Sequence, residues 1–125
     1  MTLAYWCIFV AFLLPYVFVS MAKYGPKFNN HAPRDYLEKL HGWRKRAYWT
    51  HLNGFEAFAP FAVAVLIAEQ STAQQSTIDG LAVLFVIARL GHAASYIYDK
   101  ATLRSVVWFV GFGSVIGLFL ISAWQ

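Results

Sequence analysis

Arg46, Thr50, Asn53, Glu56 and Pro60 follow one another at steps of four, three, three and four residues. That spacing places them on one face of a helix. Arg89, His92 and Tyr96 step by three and four and share a face in the same way. Arg104 and Ser105 follow after a short turn. These residue types suit a small zwitterion carrying several carboxylates. An arginine fork grips a carboxylate through two parallel hydrogen bonds, and Glu56 offers a counter-charge to an ammonium group. The surrounding sequence is apolar, so an apolar second substrate could reach the same place. A plainer reading exists for part of the set. Glu56 and Arg89 could form a buried ion pair, and His92 could be an interhelical hydrogen-bonding residue. Asn53, Tyr96, Arg104 and Ser105 are not needed for such a pair, and they point to a ligand site.

The elements that must position these residues are membrane spans. The chain has 125 residues, of which 59% are hydrophobic and 13% charged; mean hydropathy is +0.50. Soluble domains carry about 25% charged residues. Four apolar stretches, 3–22, 49–68, 78–98 and 103–124, are close to the ~20 residues that cross a bilayer. The first lacks the basic leader and short apolar core of a signal peptide, so it reads as a retained helix. The whole chain, 1–125, reads as one all-α transmembrane domain.

Residues 23–48 form the one long polar segment. It holds Lys23, Lys27, Arg34, Lys39, Arg44, Lys45 and Arg46 against Asp35 and Glu38. Pro33 suits the first position of a short helix, and "RKRAYW" reads as an extension of the second span. The link "EQSTAQQST" carries no base, and the link "DKAT" is tight. The positive-inside rule puts 23–48 in the cytoplasm and both termini outside. The net charge of +4 is explained by this bias, not by nucleic acid. Cys7 lies in an apolar run and reads as packing; a lone cysteine excludes an internal disulfide framework. The four histidines lack metal-ligand spacing, so no metal is expected. Pro60 marks a kink, and Trp43, Tyr48, Trp49 and Trp124 read as interface anchors.

With this topology the second span begins, the third ends and the fourth begins at the same face. At ~1.5 Å per residue, Asn53, Glu56, His92, Tyr96, Arg104 and Ser105 share one depth range, with Arg89 nearer mid-membrane. Ionisable groups at such depth cost several kcal/mol unless paired or facing a wet cavity. Both polar faces must therefore point inward, to each other or to a neighbouring subunit.

"RAYWTHLNGFEAFAPF" resembles the second-helix signature of the MAPEG family, the membrane-associated proteins in eicosanoid and glutathione metabolism. "ARLGHAASYIYDKATLRSVVWFVG" resembles a later signature of the same family. The two cover about a third of the chain, and the four-span pattern extends the likeness. The resemblance implies a four-helix bundle assembling as a homotrimer in a bacterial inner membrane. It implies glutathione as co-substrate between subunits, lined by positions matching Asn53, Glu56, His92, Tyr96, Arg104 and Ser105, with Arg89 and Arg46 near it. Arg104 and Ser105 match the positions that stabilise the glutathione thiolate. The implied activity is a glutathione-dependent transferase or peroxidase acting on lipophilic electrophiles. This sequence departs from eukaryotic members at Leu52, where they carry a base. It departs again at Gly54, where they often carry an acid, and in a shorter turn before Arg104. Those departures argue against prostaglandin or leukotriene synthesis. The alternative is a non-catalytic accessory subunit of a larger membrane complex, or a lipid-binding scaffold. A channel or transporter ranks last, because the sequence shows no ring of like charges and no inverted repeat.

Overall fold

The computed structural model describes residues 1–25 and 27–124. It contains α1 (Leu3–Lys23), α2 (Pro33–Glu38), α3 (Gly42–Glu69), α4 (Gln75–Ile97) and α5 (Ala101–Ala123). The helices α1, α3, α4 and α5 are each long and apolar enough to cross a membrane. All four expected spans thus fall on long helices. "RKRAYW" does extend α3, and Pro33 opens α2. The helix α3 runs through Pro60.

The bundle closes on small residues. Ala4, Cys7, Ala11, Pro15, Phe18 and Ala22 form the buried stripe of α1, at steps of three or four. They let α1 approach α3, as small residues do between membrane helices. Ala64, Val65 and Ala68 of α3 meet Ile78, Ala82 and Phe85 of α4, and Val115 and Leu118 of α5, in one core cluster. Phe61 and Phe85 stack across it with centroids 3.9 Å apart. Cys7 packs in this core. The helix α1 lies along α3 and α5 along α4, while α4 also touches α1 and α3. Large apolar side chains such as Phe9, Ile87, Phe109 and Leu120 remain exposed, the surface a lipid solvent requires.

At one end, Thr2 caps α1 by accepting from the Tyr5 amide at 3.3 Å. The Asp79 carboxylate accepts from the Ala4 amide at 3.0 Å. Gln75 donates to both Glu69 and Asp79, at 2.8 and 2.9 Å. This end ties the start of α1 to the α3–α4 turn.

The opposite end is held by three consecutive bases. Arg44 Nε donates to the Ala22 carbonyl at 3.0 Å, and the same side chain bonds the Tyr36 hydroxyl. Lys45 Nζ donates to the Leu37 carbonyl at 3.3 Å and to that of Glu38. Arg46 Nε donates to the Ile97 carbonyl at 3.0 Å. One tripeptide thus grips the final carbonyls of α1, α2 and α4. These carbonyls have no partner within their own helices, and cations complement the negative end of a helix dipole. Tyr48 departs from its expected role. It is buried against Ala22 and Leu37, whereas Trp43, Trp49 and Trp124 keep the exposure of interface anchors.

The α4–α5 turn is equally specific. Asp99 takes a φ of +60°. Its amide bonds the Tyr96 carbonyl at 3.1 Å, and the Lys100 amide bonds that of Ser95 at 2.7 Å. This is the Schellman pattern. It reverses the chain in few residues and starts α5 beside the end of α4.

Candidate functional site

That turn brings α5's first residues against α4's last polar face. The Arg104 guanidinium carbon sits 4.6 Å from the Tyr96 ring centroid, a cation–π distance. His92 meets the other side of Tyr96, edge to face, with centroids 5.6 Å apart. Arg104, Ser105, His92, Tyr96 and Asn53 line one open cavity of about 260 Å³. His92 is buried, and its Nδ1 has no hydrogen-bond partner among the described residues.

A second cavity, of about 240 Å³, adjoins the first, and Asn53 and Trp108 line both. Glu56 and Arg89 belong to it. Arg89 is only 7% exposed, and its Nη2 donates to Asn53 Oδ1 at 2.7 Å. The Glu56–Arg89 ion pair of the plainer reading does not form. Among the described residues the one salt bridge joins Lys39 to Asp35 at the surface. The neutral Asn53 amide, one turn before Glu56 on α3, occupies the guanidinium, and Glu56 stays exposed on the same cavity's rim. The site therefore holds a cation and a carboxylate on one cavity with no salt bridge between them among the described residues. Among the described residues no three His, Cys, Asp or Glu side chains gather as metal ligands would.

Two members of the sequence stripe lie elsewhere. The Thr50 hydroxyl turns back to the Arg46 carbonyl at 2.9 Å. Arg46 borders a separate surface cleft with Lys45, Trp49 and Asp99. Trp49 and Tyr96, with ring centroids 6.1 Å apart, stand between that cleft and the Arg104 cavity. Arg46 lies seven residues before Asn53, about 10 Å along the helix, so a shared face does not give a shared cavity.

Gly54 also finds its reason. A Cβ there would lie 2.9 Å from Pro15 Cγ. Position 54 is where α3 meets α1, and an acidic side chain does not fit. The residue that sequence reasoning missed is Trp108. It stands four residues after Arg104, the spacing that puts two residues on one helix face, and this was the available signal.

The MAPEG family model matches residues 3–124, and no curated protein matches the chain. The chain belongs to the MAPEG family, membrane proteins of glutathione and eicosanoid metabolism.

Proposed function

We propose that this MAPEG protein is a membrane-bound glutathione-dependent transferase or peroxidase acting on lipophilic electrophiles. One observation carries the reading: Arg104 and Ser105 line a polar cavity that adjoins a largely apolar one. A free thiol has a pKa near ~8.5. A guanidinium and a hydroxyl donor beside it favour the thiolate, which is the nucleophile. Arg104 and Ser105 supply those groups. Asn53, Glu56, Arg89, His92 and Tyr96 hold the peptide, with Arg46 at the neighbouring cleft as a further positive group. The thiolate forms a bond to the electrophilic carbon, and the leaving group departs with its electron pair.

The same reading places residues 23–48 in the cytoplasm of a bacterial inner membrane, with both termini outside, because the bases concentrate there. It also takes the assembly to be a homotrimer. Glu56 is exposed partway along a membrane-length helix, and a carboxylate facing lipid is costly. A neighbouring subunit over the groove removes that cost.

The test uses protein purified in lipid nanodiscs. Millimolar glutathione should raise the unfolding temperature. Arg104→Ala should abolish conjugation of a haloarene, and Arg104→Lys should restore part of it. Absence of protection, together with full conjugation by Arg104→Ala, defeats the reading.

A further inference from the structure

The cleft that Arg46 borders is made by three separate pieces of the chain. The end of α2 brings Glu38, the first turns of α3 bring Lys45, Arg46 and Trp49, and the α4–α5 turn brings Asp99. The cleft measures about 450 Å³. Gly42 adds no side chain to it, and a Cβ there would meet nothing within 4 Å, so the space is free. Two cations and two carboxylates line this one cleft, and no salt bridge joins them among the described residues. Each cation commits only part of its donors to the protein. Arg46 Nε bonds the Ile97 carbonyl, which leaves the other four N–H groups of an arginine fork. Lys45 Nζ bonds the Leu37 and Glu38 carbonyls, which leaves one of an ammonium's three donors.

The length of α3 fixes the cleft's depth in the membrane. Its 28 residues extend about 42 Å, which exceeds the hydrocarbon layer by about 12 Å. All the bases of α3, Arg44, Lys45 and Arg46, lie in its first two turns, so the excess belongs at this end. Trp43 and Trp49 are 44% and 43% exposed, as anchors at headgroup level are. The cleft therefore opens into the layer of lipid headgroups. The Glu56 groove, over which a neighbouring subunit was placed above, lies ten residues further along α3, about 15 Å deeper. Trp49 and Tyr96, with centroids 6.1 Å apart, stand between the cleft and the Arg104 cavity, so the cleft is a site of its own.

We propose that this cleft binds one membrane phospholipid whose head carries both a phosphate and a primary ammonium. The phosphate oxygens accept from the remaining donors of Arg46 and Lys45, as charge-assisted hydrogen bonds. The ammonium donates its N–H groups to the carboxylates of Glu38 and Asp99. Lys45 Nζ lies over the Trp49 ring, 5.7 Å from its centroid, and the exposed part of that ring covers the start of the acyl chains. The charges also select against other heads. A quaternary ammonium has no N–H to give the two carboxylates. An anionic glycerol head has no cation for them and brings its negative phosphate beside them. Discrimination of this kind rests on groups left unpaired by the wrong ligand.

The test uses the full chain in detergent micelles, stripped of lipid, with native mass spectrometry counting the lipids bound. Phosphatidylethanolamine, phosphatidylglycerol and phosphatidylcholine with identical acyl chains are titrated in turn. Wild type should bind one phosphatidylethanolamine per subunit, about tenfold or more tighter than either of the others, the worth of one charged hydrogen bond. Glu38→Gln combined with Asp99→Asn should remove that preference and leave phosphatidylglycerol at least equal. Both replacements keep the side chain's shape, and asparagine accepts the left-handed φ of position 99. Arg46→Gln should weaken all three lipids together; should it fail to fold, the carboxylate variant still decides. Equal binding of the three lipids by wild type, or an undiminished preference in the carboxylate variant, overturns the proposal. Full lipid affinity in a folded Arg46→Gln overturns the phosphate's placement and the proposal with it. Displacement of the bound lipid by millimolar glutathione overturns it too, because the cleft would then belong to the peptide's site. Glycerophosphoethanolamine is the soluble control. Affinity equal to that of the lipid assigns the cleft to a free headgroup and overturns the membrane source.

Discussion

Asn53 should separate the stability of the bundle from its affinity for glutathione. Its Oδ1 accepts the Arg89 guanidinium at 2.7 Å, and Arg89 is 7% exposed. Asn53→Ala removes the acceptor and leaves the buried guanidinium with no described hydrogen-bond partner. Hydrogen bonds to charged groups are worth about 1.5–3 kcal/mol, so a loss of about 2 kcal/mol is expected. That is roughly a 30-fold shift of the unfolding equilibrium, taking 1.4 kcal/mol per factor of ten. Asn53→Asp keeps an acceptor at the same place and adds charge, so the contact becomes charge-assisted and stronger. This variant should unfold no earlier than wild type. Its carboxylate, however, borders both cavities and occupies Arg89, so glutathione binding should weaken by about tenfold or more, the cost of one charged hydrogen bond. Reversible denaturation in mixed micelles reads the first quantity, and calorimetric titration with glutathione reads the second. If Asn53→Ala is as stable as wild type, the Asn53–Arg89 contact is not what satisfies the buried guanidinium. If Asn53→Asp binds glutathione normally, Asn53 and Arg89 do not form part of the peptide's site.

Gly54→Val should destabilise by about 1–3 kcal/mol through overpacking, because its side chain meets Pro15 of α1; the denaturation midpoint reads this, and an unchanged midpoint contradicts the close approach. Arg46→Ala should release the Ile97 carbonyl at a cost of about 1 kcal/mol, seen as faster amide exchange confined to the end of α4 and the turn after it. Asp99→Gly should stabilise by up to about 1 kcal/mol, because glycine takes the left-handed φ of this position without strain.

The spans were legible because lipid imposes length and composition on each helix by itself. The shared depth of Asn53, His92, Tyr96 and Arg104 was legible because topology and rise per residue fix it without side-chain detail. Partner choice was not, and Arg89 shows why. Read by charge, it belongs to Glu56. In the fold, the nearer acceptor on α3 is the amide one turn earlier, and a buried guanidinium bonds to what lies within reach of its donors. The bases at 44–46 teach the same lesson from the other side. Their charge was read as orientation, yet each one's partner is a carbonyl at the end of a different helix, and backbone acceptors leave no trace in a residue pattern. Their grip also has a functional consequence. Within the "RKR" run, Arg46 holds the last carbonyl of α4. The left-handed Asp99 then fixes where α5 begins, and Arg104 is carried onto the face of Tyr96. The Arg104–Tyr96 contact thus depends on one cation at the end of α4 and on the turn that follows it. Loosening Arg46 should therefore disturb the Arg104 cavity more than its separate cleft alone would suggest.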